Sequence, residues 1–332
     1  MPKIVYFYPK PRTNRNYSIP ALFSAVQENL PEKLSSEAIT VSKRSNGFWK
    51  RVLIAWEARE KQGDINHITG DIHFITCLLK RRRTVLTIHD CGFMQHPSPI
   101  ARIIFKWFWL KLPVCYSAAV SVVSEVTKNE VIKYVQCHPD KIKVVYNFVS
   151  GNFTCCPKDF NLQKPTILHI GTAPNKNLER LIKAIAVIPC QLHIIGKLSR
   201  VQLRLLVEYN IDYINNTNLG EEEVLQAYRE CDLLCFISTL EGFGLPILEA
   251  QAVGRPVITS NLSAMPEVAG DGAYFTDPFN VDSIRQAITT VSSDAALRNK
   301  LIERGYENAK RFSLDKTVAG YSQIYFDIWN RR

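Results

Sequence analysis

The feature that most constrains how this chain folds is an alternation that runs almost from end to end. Short apolar runs rich in Val and Ile alternate with stretches of helical periodicity. In the first half the extended runs are Lys3–Tyr8, 37–41, Ile65–Ile68, 84–89, 118–124 and 142–146, with helices at 20–29, Phe48–Glu60 and 125–135 between them. In the second half they are Thr166–Ile170, Gln191–Ile195, 212–214, 233–237 and 256–259, separated by helices at 177–188, 199–209, 221–231 and 246–253. Parallel neighbours need a crossover of a dozen or more residues, and a helix is the usual one. The pattern breaks once, over the polar stretch 151–164, where an interdomain linker is expected. An α/β chain of two Rossmann-like domains in tandem follows, and 332 residues suit two domains.

Composition narrows the class. Hydrophobic content of 46% and charged content of 22% exclude disordered, collagenous and disulfide-scaffold chains. There is no uncharged apolar run long enough for a transmembrane helix. The start, Met1-Pro2-Lys3-Ile4-Val5-Tyr6-Phe7-Tyr8-Pro9, reads as a buried strand and not as a signal peptide. Cys77, Cys115, Cys231 and Cys235 sit in apolar segments, and no C-x-x-C pair occurs, so the nine cysteines suggest a reducing compartment and no zinc. Charge is asymmetric. Residues 1–160 hold 23 Lys+Arg against 12 Asp+Glu, and residues 161–332 hold 18 against 19. The whole basic excess lies in the first half, which points that half toward a polyanion.

Most of the chemistry is concentrated in Ser238-Thr239-Leu240-Glu241-Gly242-Phe243-Gly244-Leu245-Pro246-Ile247-Leu248-Glu249-Ala250. An apolar strand ends in a loop with two glycines, and a helix begins with Pro246 near its first position, where a missing N–H costs nothing. Glycines let backbone amides approach a ligand, and a helix N-terminus favours an anion. Glu249, expected in the first helical turn, suits a pair of vicinal hydroxyls. Glu241 suits a second hydroxylated group. On the residues alone an ordinary helix whose acid answers the macrodipole fits equally well.

Glu241 and Glu249 within E-G-F-G-L-P-I-L-E-A, followed by Gly254-Arg255-Pro256-Val257-Ile258 and by Ser263-Ala264-Met265-Pro266-Glu267, resemble the signature of retaining GT-B glycosyltransferases of family 4. The resemblance is specific in the second half and weaker in the first. It implies a GT-B fold: two Rossmann-like domains facing a cleft, with the C-terminal helix crossing back. The expected domains are 1–155 for the acceptor, 163–312 for the nucleotide-sugar donor, and 313–332 for that helix. It also implies that Glu241 contacts the donor sugar and Glu249 the ribose, with the backbone of Gly242, Phe243 and Gly244, and Leu245 beside them, near sugar and pyrophosphate.

A second segment, His169-Ile170-Gly171-Thr172-Ala173-Pro174-Asn175-Lys176, is a strand and tight loop. By resemblance Lys176 neutralises the diphosphate, with Gly171 and Thr172 lining the donor. An arginine common in relatives is missing, which leaves Arg180 or a backbone dipole as the second positive contact. The resemblance also raises His89, at the end of Thr87-Ile88-His89-Asp90, to a donor-sugar or acceptor contact. The segment 67–73 is placed on the acceptor side, and Ser124 or Lys128 either lines the cleft or belongs to an ordinary capped helix. The glycine-rich first loop of the family is missing from 9–20, so acceptor recognition there does not carry over.

The implied reaction moves a hexose from a nucleotide-diphosphate sugar to a hydroxyl of a glycan or lipid-linked glycan, with retention and without metal or other cofactor. Bacterial surface polysaccharide synthesis is the expected setting, with the enzyme cytoplasmic and peripheral on the inner membrane face. Other GT-B activities (epimerisation or hydrolysis), a non-catalytic partner subunit and a nucleic-acid-binding protein are the alternatives. Nucleic acid is not expected as a partner, since no binding module is present. The membrane expectation rests on 100–113, where Trp107, Trp109 and two phenylalanines mix with Arg102, Lys106 and Lys111, joined to the basic run Arg81-Arg82-Arg83. A buried helix with snorkelling lysines is the competing reading.

Overall fold

The computed structural model describes residues 1–11 and 18–331, so the middle half of the glycine-free stretch 9–20 lies outside it. The chain divides into two compact units, Met1–Phe148 with Leu314–Arg332, and Val149–Ser313.

The first unit is built on strands β1 (Lys3–Tyr8), β2 (Ser35–Thr40), β3 (Ile65–Ile68), β4 (Thr84–Ile88), β5 (Ala119–Val122) and β6 (Ile142–Val144). They form one parallel sheet in the order β2-β1-β3-β4-β5-β6. Its helices are α1 (Ser18–Glu28), α2 (Phe48–Glu60), α3 (Pro99–Phe105), α4 (Leu112–Cys115) and α5 (Glu125–Val135), with a π-helical run at Lys106–Lys111 between α3 and α4. The second unit holds β7 (Thr166–Ile170), β8 (Gln191–Ile195), β9 (Tyr213–Asn216), β10 (Leu233–Phe236), β11 (Val257–Ser260) and β12 (Tyr274–Thr276). These strands are also parallel, in the order β12-β11-β10-β7-β8-β9. Its helices are α6 (Leu178–Ile185), α7 (Arg200–Glu208), α8 (Glu221–Glu230), α9 (Leu245–Val253), α10 (Met265–Ala269), α11 (Val281–Ser293) and α12 (Ala295–Ala309). The last helix, α13 (Leu314–Asn330), belongs to the first unit.

Central strands such as β4 and β10 are buried on both faces; β10 reads as an unbroken apolar run, while β4 carries Thr84 and Thr87 among its apolar residues. Alternation then sends neighbouring residues to opposite cores. Phe7, Leu86 and Val120 face α2 and α5, whereas Tyr6, Val85 and Ile65 face α1 and α13.

α13 is fastened to the first sheet by a buried polar chain as well as by Val318, Tyr321 and Ile328. The Tyr325 hydroxyl donates to Tyr6 at 2.9 Å and so accepts from Nδ1–H of His67 at 2.7 Å. Nε2 of His67 then accepts from Thr87 at 2.7 Å, and Thr87 accepts from Ser121 at 2.6 Å. Burial pushes the His67 pKa down to about 3, which keeps the ring neutral for this relay.

Candidate active site

Strand order locates the site in the second unit. Numbered within that unit, the strands run 3-2-1-4-5-6, and the order reverses between β7 and β10. Ligands of open α/β sheets bind outside the carboxyl ends of the strands at such a reversal. The loops that leave β7 and β10 carry the two sequence segments singled out above.

These loops are stitched together. Asn175 Nδ2 donates to the Leu240 carbonyl at 2.9 Å, and the Thr239 amide donates to the Asn175 carbonyl at 2.8 Å. Lys176 Nζ lies 2.6 Å from Oε1 of Glu241 and 4.7 Å above the Phe236 ring. The ammonium assigned to the diphosphate and the carboxylate assigned to the sugar are therefore an ion pair here, with both side chains mostly buried. Gly171 makes room for this lysine. Its φ is +92°, and a Cβ there would lie 2.9 Å from the Lys176 side chain. Ser263 holds the other side of Glu241, accepting from its amide at 3.2 Å and donating to its carbonyl at 2.6 Å.

Gly244 starts α9 at φ +115°, a conformation closed to most residues with a side chain, and Pro246 occupies the first turn. Glu249 is the fifth residue of α9, so it stands in the second turn and not the first. The helix starts at Leu245, just after the αL glycine, one residue earlier than Pro246 suggests. Glu249 accepts from the Tyr228 hydroxyl at 2.6 Å. Burial raises its pKa to about 7, against the opposing pull of that hydrogen bond. Tyr228, on α8, is a site residue that sequence reasoning missed: it reads as one more apolar position of an amphipathic helix. Arg255 fixes it from behind, donating to the Tyr228 carbonyl at 2.9 Å.

The remaining donor-side residues have mixed placements. The Phe243 ring is buried against Phe312, with ring centroids 5.6 Å apart. Thr172 spends its hydroxyl on the Lys197 carbonyl at 2.7 Å, a bond that ties the β7 and β8 loops together. Arg180 is drawn to Asn177 at 2.8 Å and lies over the Phe279 ring. Buried His169 donates from Nδ1 to the Cys235 carbonyl at 3.0 Å, while its Nε2 has no partner; burial lowers its pKa to about 4.

In the first unit, His89 follows β4, and its Nε2–H donates to the Thr69 carbonyl at 2.8 Å. Burial lowers its pKa, so the ring is neutral. The carbonyl belongs to the loop after β3, beside the reversal between β1 and β3. His67 and His73 are both in the core, the latter donating to the Trp109 carbonyl at 2.7 Å. Ser124 caps α5 by accepting from the Thr127 amide at 3.1 Å, and Lys128 pairs with Glu125 at 3.3 Å.

One expectation about the basic and aromatic cluster needs correction. Trp109 is only 6% exposed, with its indole N–H on Asp71 at 2.8 Å. The π-helical turn shifts the register so that Trp109 and Leu110 point inward while Trp107 and Phe108 stay exposed. Arg81-Arg82-Arg83 is the other half of that expected cluster. It forms a turn before β4, at the amino ends of the strands, with Arg83 on Asp64 at 3.5 Å. Lys106 is half-buried, and Lys111 covers the Trp107 ring at 4.3 Å.

No helix among the described residues is long and apolar enough to cross a membrane, and no group of His, Cys, Asp or Glu among them is arranged to hold a metal.

Comparison with known proteins bears on both units. The family model for glycosyl transferases group 1 matches residues 157–308, and that for glycosyltransferase family 4 matches residues 19–151. An O-antigen chain mannosyltransferase B of Escherichia coli is 29% identical over 82% of this chain and 76% of its own length. An O-antigen chain mannosyltransferase RfbU of Salmonella typhimurium is 26% identical over 69% of this chain and 68% of its own. Among solved structures, Anabaena HepE in complex with UDP and glucose superposes with a TM-score of 0.80 at 15% identity, covering 98% of this chain and 100% of that one.

Proposed function

Since the chain belongs to the group 1 glycosyltransferases and has the two-sheet GT-B architecture, we propose that its second unit binds a nucleotide-diphosphate hexose and that the reaction retains anomeric configuration. The observation that carries the proposal is the convergence of Lys176, Glu241, Glu249 and the αL start of α9 at one strand-order reversal. Glu249, steadied by Tyr228, accepts from the ribose hydroxyls. Lys176 leaves Glu241 for the diphosphate, and Glu241, freed, accepts from hydroxyls of the sugar. The amino end of α9 adds its dipole to the leaving group.

The bond between the anomeric carbon and the leaving phosphate oxygen breaks as the acceptor oxygen bonds to that carbon on the same face. The acceptor proton passes to the leaving phosphate. The chain supplies position and fixed charge, with neutral His89 as a further sugar contact. No metal or other cofactor enters this scheme. The two O-antigen relatives make mannose the first sugar to test and a bacterial surface polysaccharide the setting.

We further propose that the acceptor is a glycan or lipid-linked glycan met at the inner face of the cytoplasmic membrane. Phe48, Trp49, Val52, Leu53 and Trp56 form an exposed stripe on α2. Ile100, Ile103, Ile104, Trp107 and Phe108 form another along α3 and the π-helical turn. Arg51 of α2 stacks on Trp109 at 4.7 Å, so the two helices are neighbours. Exposed apolar stripes beside Lys50, Arg59, Arg102 and Lys106 suit an anionic lipid surface.

A thermal-shift screen against UDP-, GDP-, ADP- and CMP-sugars tests the donor, followed by transfer assays with the stabilising sugar. Stabilisation by one nucleoside-diphosphate sugar, lost in Glu249→Ala, is expected. Indifference to all of them would overturn the reading. Sedimentation with anionic vesicles, weakened by Trp49→Ser and Phe108→Ser together, tests the membrane surface; equal binding by this variant would remove it.

A further inference from the structure

An open cavity of about 820 Å³ lies in the first unit, at the amino ends of its strands and so away from the carboxyl-end crevice where this fold binds its usual ligands. Five cations line it from three parts of the chain. Arg81 and Arg82 come from the turn before β4, Lys141 and Lys143 from the start of β6, and Arg331 from the residue after α13. Ser117, Ala118 and Ala119 at the start of β5 leave the hollow between them, because small side chains do not fill it.

The charge in this cavity is not internally balanced. Among the described residues, Arg81, Arg82, Lys143 and Arg331 make no salt bridge. The two carboxylates in the lining have other partners: Asp140 lies 3.5 Å from His138, and Asp327 accepts from Gln323 at 2.7 Å. Lys141, half-buried, has its pKa lowered by desolvation and then by the charge of Arg81. Like charges gathered around one hollow repel one another unless an anion sits among them. Ile324 and Ile328 give the same cavity an apolar wall.

We propose that this cavity binds a compact anion with two or more phosphate charges, the uncharged part of the molecule resting on Ile324 and Ile328. Its volume falls in the range of small-molecule sites, which spans about 300–1,000 Å³. Arginine matches phosphate geometry through its planar fork, and lysine adds point charge. Because one wall is α13 and the others are sheet strands, an occupant also ties that helix to the sheet. The phosphate groups can come from a free phosphorylated compound or from a lipid headgroup.

The test uses the full chain and inorganic pyrophosphate, followed by isothermal titration in a Lys176→Ala background so that the donor loop does not contribute. Replacing exposed Arg82 and Lys143 together by Ser is expected to weaken binding by about tenfold per lost charge-assisted contact, or roughly a hundredfold for the pair. Arg82→Lys with Lys143→Arg, which keeps both charges, is expected to restore most of it. A control with exposed Lys43 and Arg44 changed to Ser removes equal charge elsewhere in the unit. Unchanged affinity in the Arg82, Lys143 variant overturns the proposal, and so does equal weakening in the control. Phosphatidylcholine vesicles with added phosphatidic acid separate the sources. Capture that pyrophosphate reverses assigns a lipid headgroup, and pyrophosphate binding without vesicle capture assigns a free compound; both outcomes support the site.

Discussion

Glu249→Gln should stabilise the protein at alkaline pH while impairing donor binding. Burial lifts the Glu249 pKa from 4.5 to about 7. At roughly 1.4 kcal/mol per tenfold change in proton affinity, this corresponds to about 3 kcal/mol. The sign follows from proton binding. Below about pH 4.5 the carboxyl is neutral in both folded and unfolded chains and costs nothing. Between there and about pH 7 the unfolded chain ionises first, the folded chain holds more protons, and stability falls as pH rises. Above that window the folded carboxylate is charged and the full cost is present. The substituted amide does not titrate and can still accept from Tyr228. The stability of the variant minus that of the wild type should therefore grow by about 3 kcal/mol from about pH 4 to about pH 8. Urea unfolding of both proteins across that range measures the difference, and the other titrating groups cancel in it. A difference that stays constant with pH would refute the assignment of a buried, proton-retaining carboxyl. The same group makes donor affinity rise through neutral pH, since the ionised form is the better acceptor. Losing that carboxylate should cost about 1.5–3 kcal/mol of donor binding in the Glu249→Gln variant.

Lys176→Ala should lower kcat by about a hundredfold, the order seen when one preorganised charge or donor is removed from a leaving group, with little change in acceptor KM; steady-state kinetics reads both. Tyr325→Phe leaves His67 and Tyr6 without their shared hydroxyl in a buried site, and should cost about 1–3 kcal/mol in the first unit by urea unfolding, with donor binding intact. Deleting 313–332 strips α13 from Tyr6, Phe23 and Val26 and should destabilise the first unit, read as lost protection of β1 and β3 in hydrogen exchange. Unaltered protection would mean that the helix is dispensable.

The fold is legible in the sequence because its strands are buried on both faces and its crossovers are helices, so local pattern and global architecture agree. The loop after β10 is legible for a related reason: Gly244 must be glycine at φ +115°, and such positions stand out in a sequence. What stays hidden depends on the third dimension. Tyr228 is one apolar residue among several on α8 until its hydroxyl is seen on Glu249. The Lys176–Glu241 pair joins residues 65 positions apart and exists only because β7 and β10 are neighbours. Trp109 reads as a surface residue, but a π-helical turn shifts the helix register, and turns of that kind leave no periodic signature. The sequence marks Phe48–Glu60 only as a helix; that Phe48, Trp49, Val52, Leu53 and Trp56 meet water appears only in the structure.

The central claim is that the loops after β7 and β10 hold a nucleotide diphosphate. A crystal structure with the nucleotide selected by thermal shift tests it directly. The account predicts the ribose hydroxyls on Glu249, the diphosphate at the start of α9 with Lys176 turned onto it, and the Lys176–Glu241 contact opened from its present 2.6 Å. A nucleotide bound elsewhere, or bound there with that ion pair intact and Glu249 untouched, would contradict it.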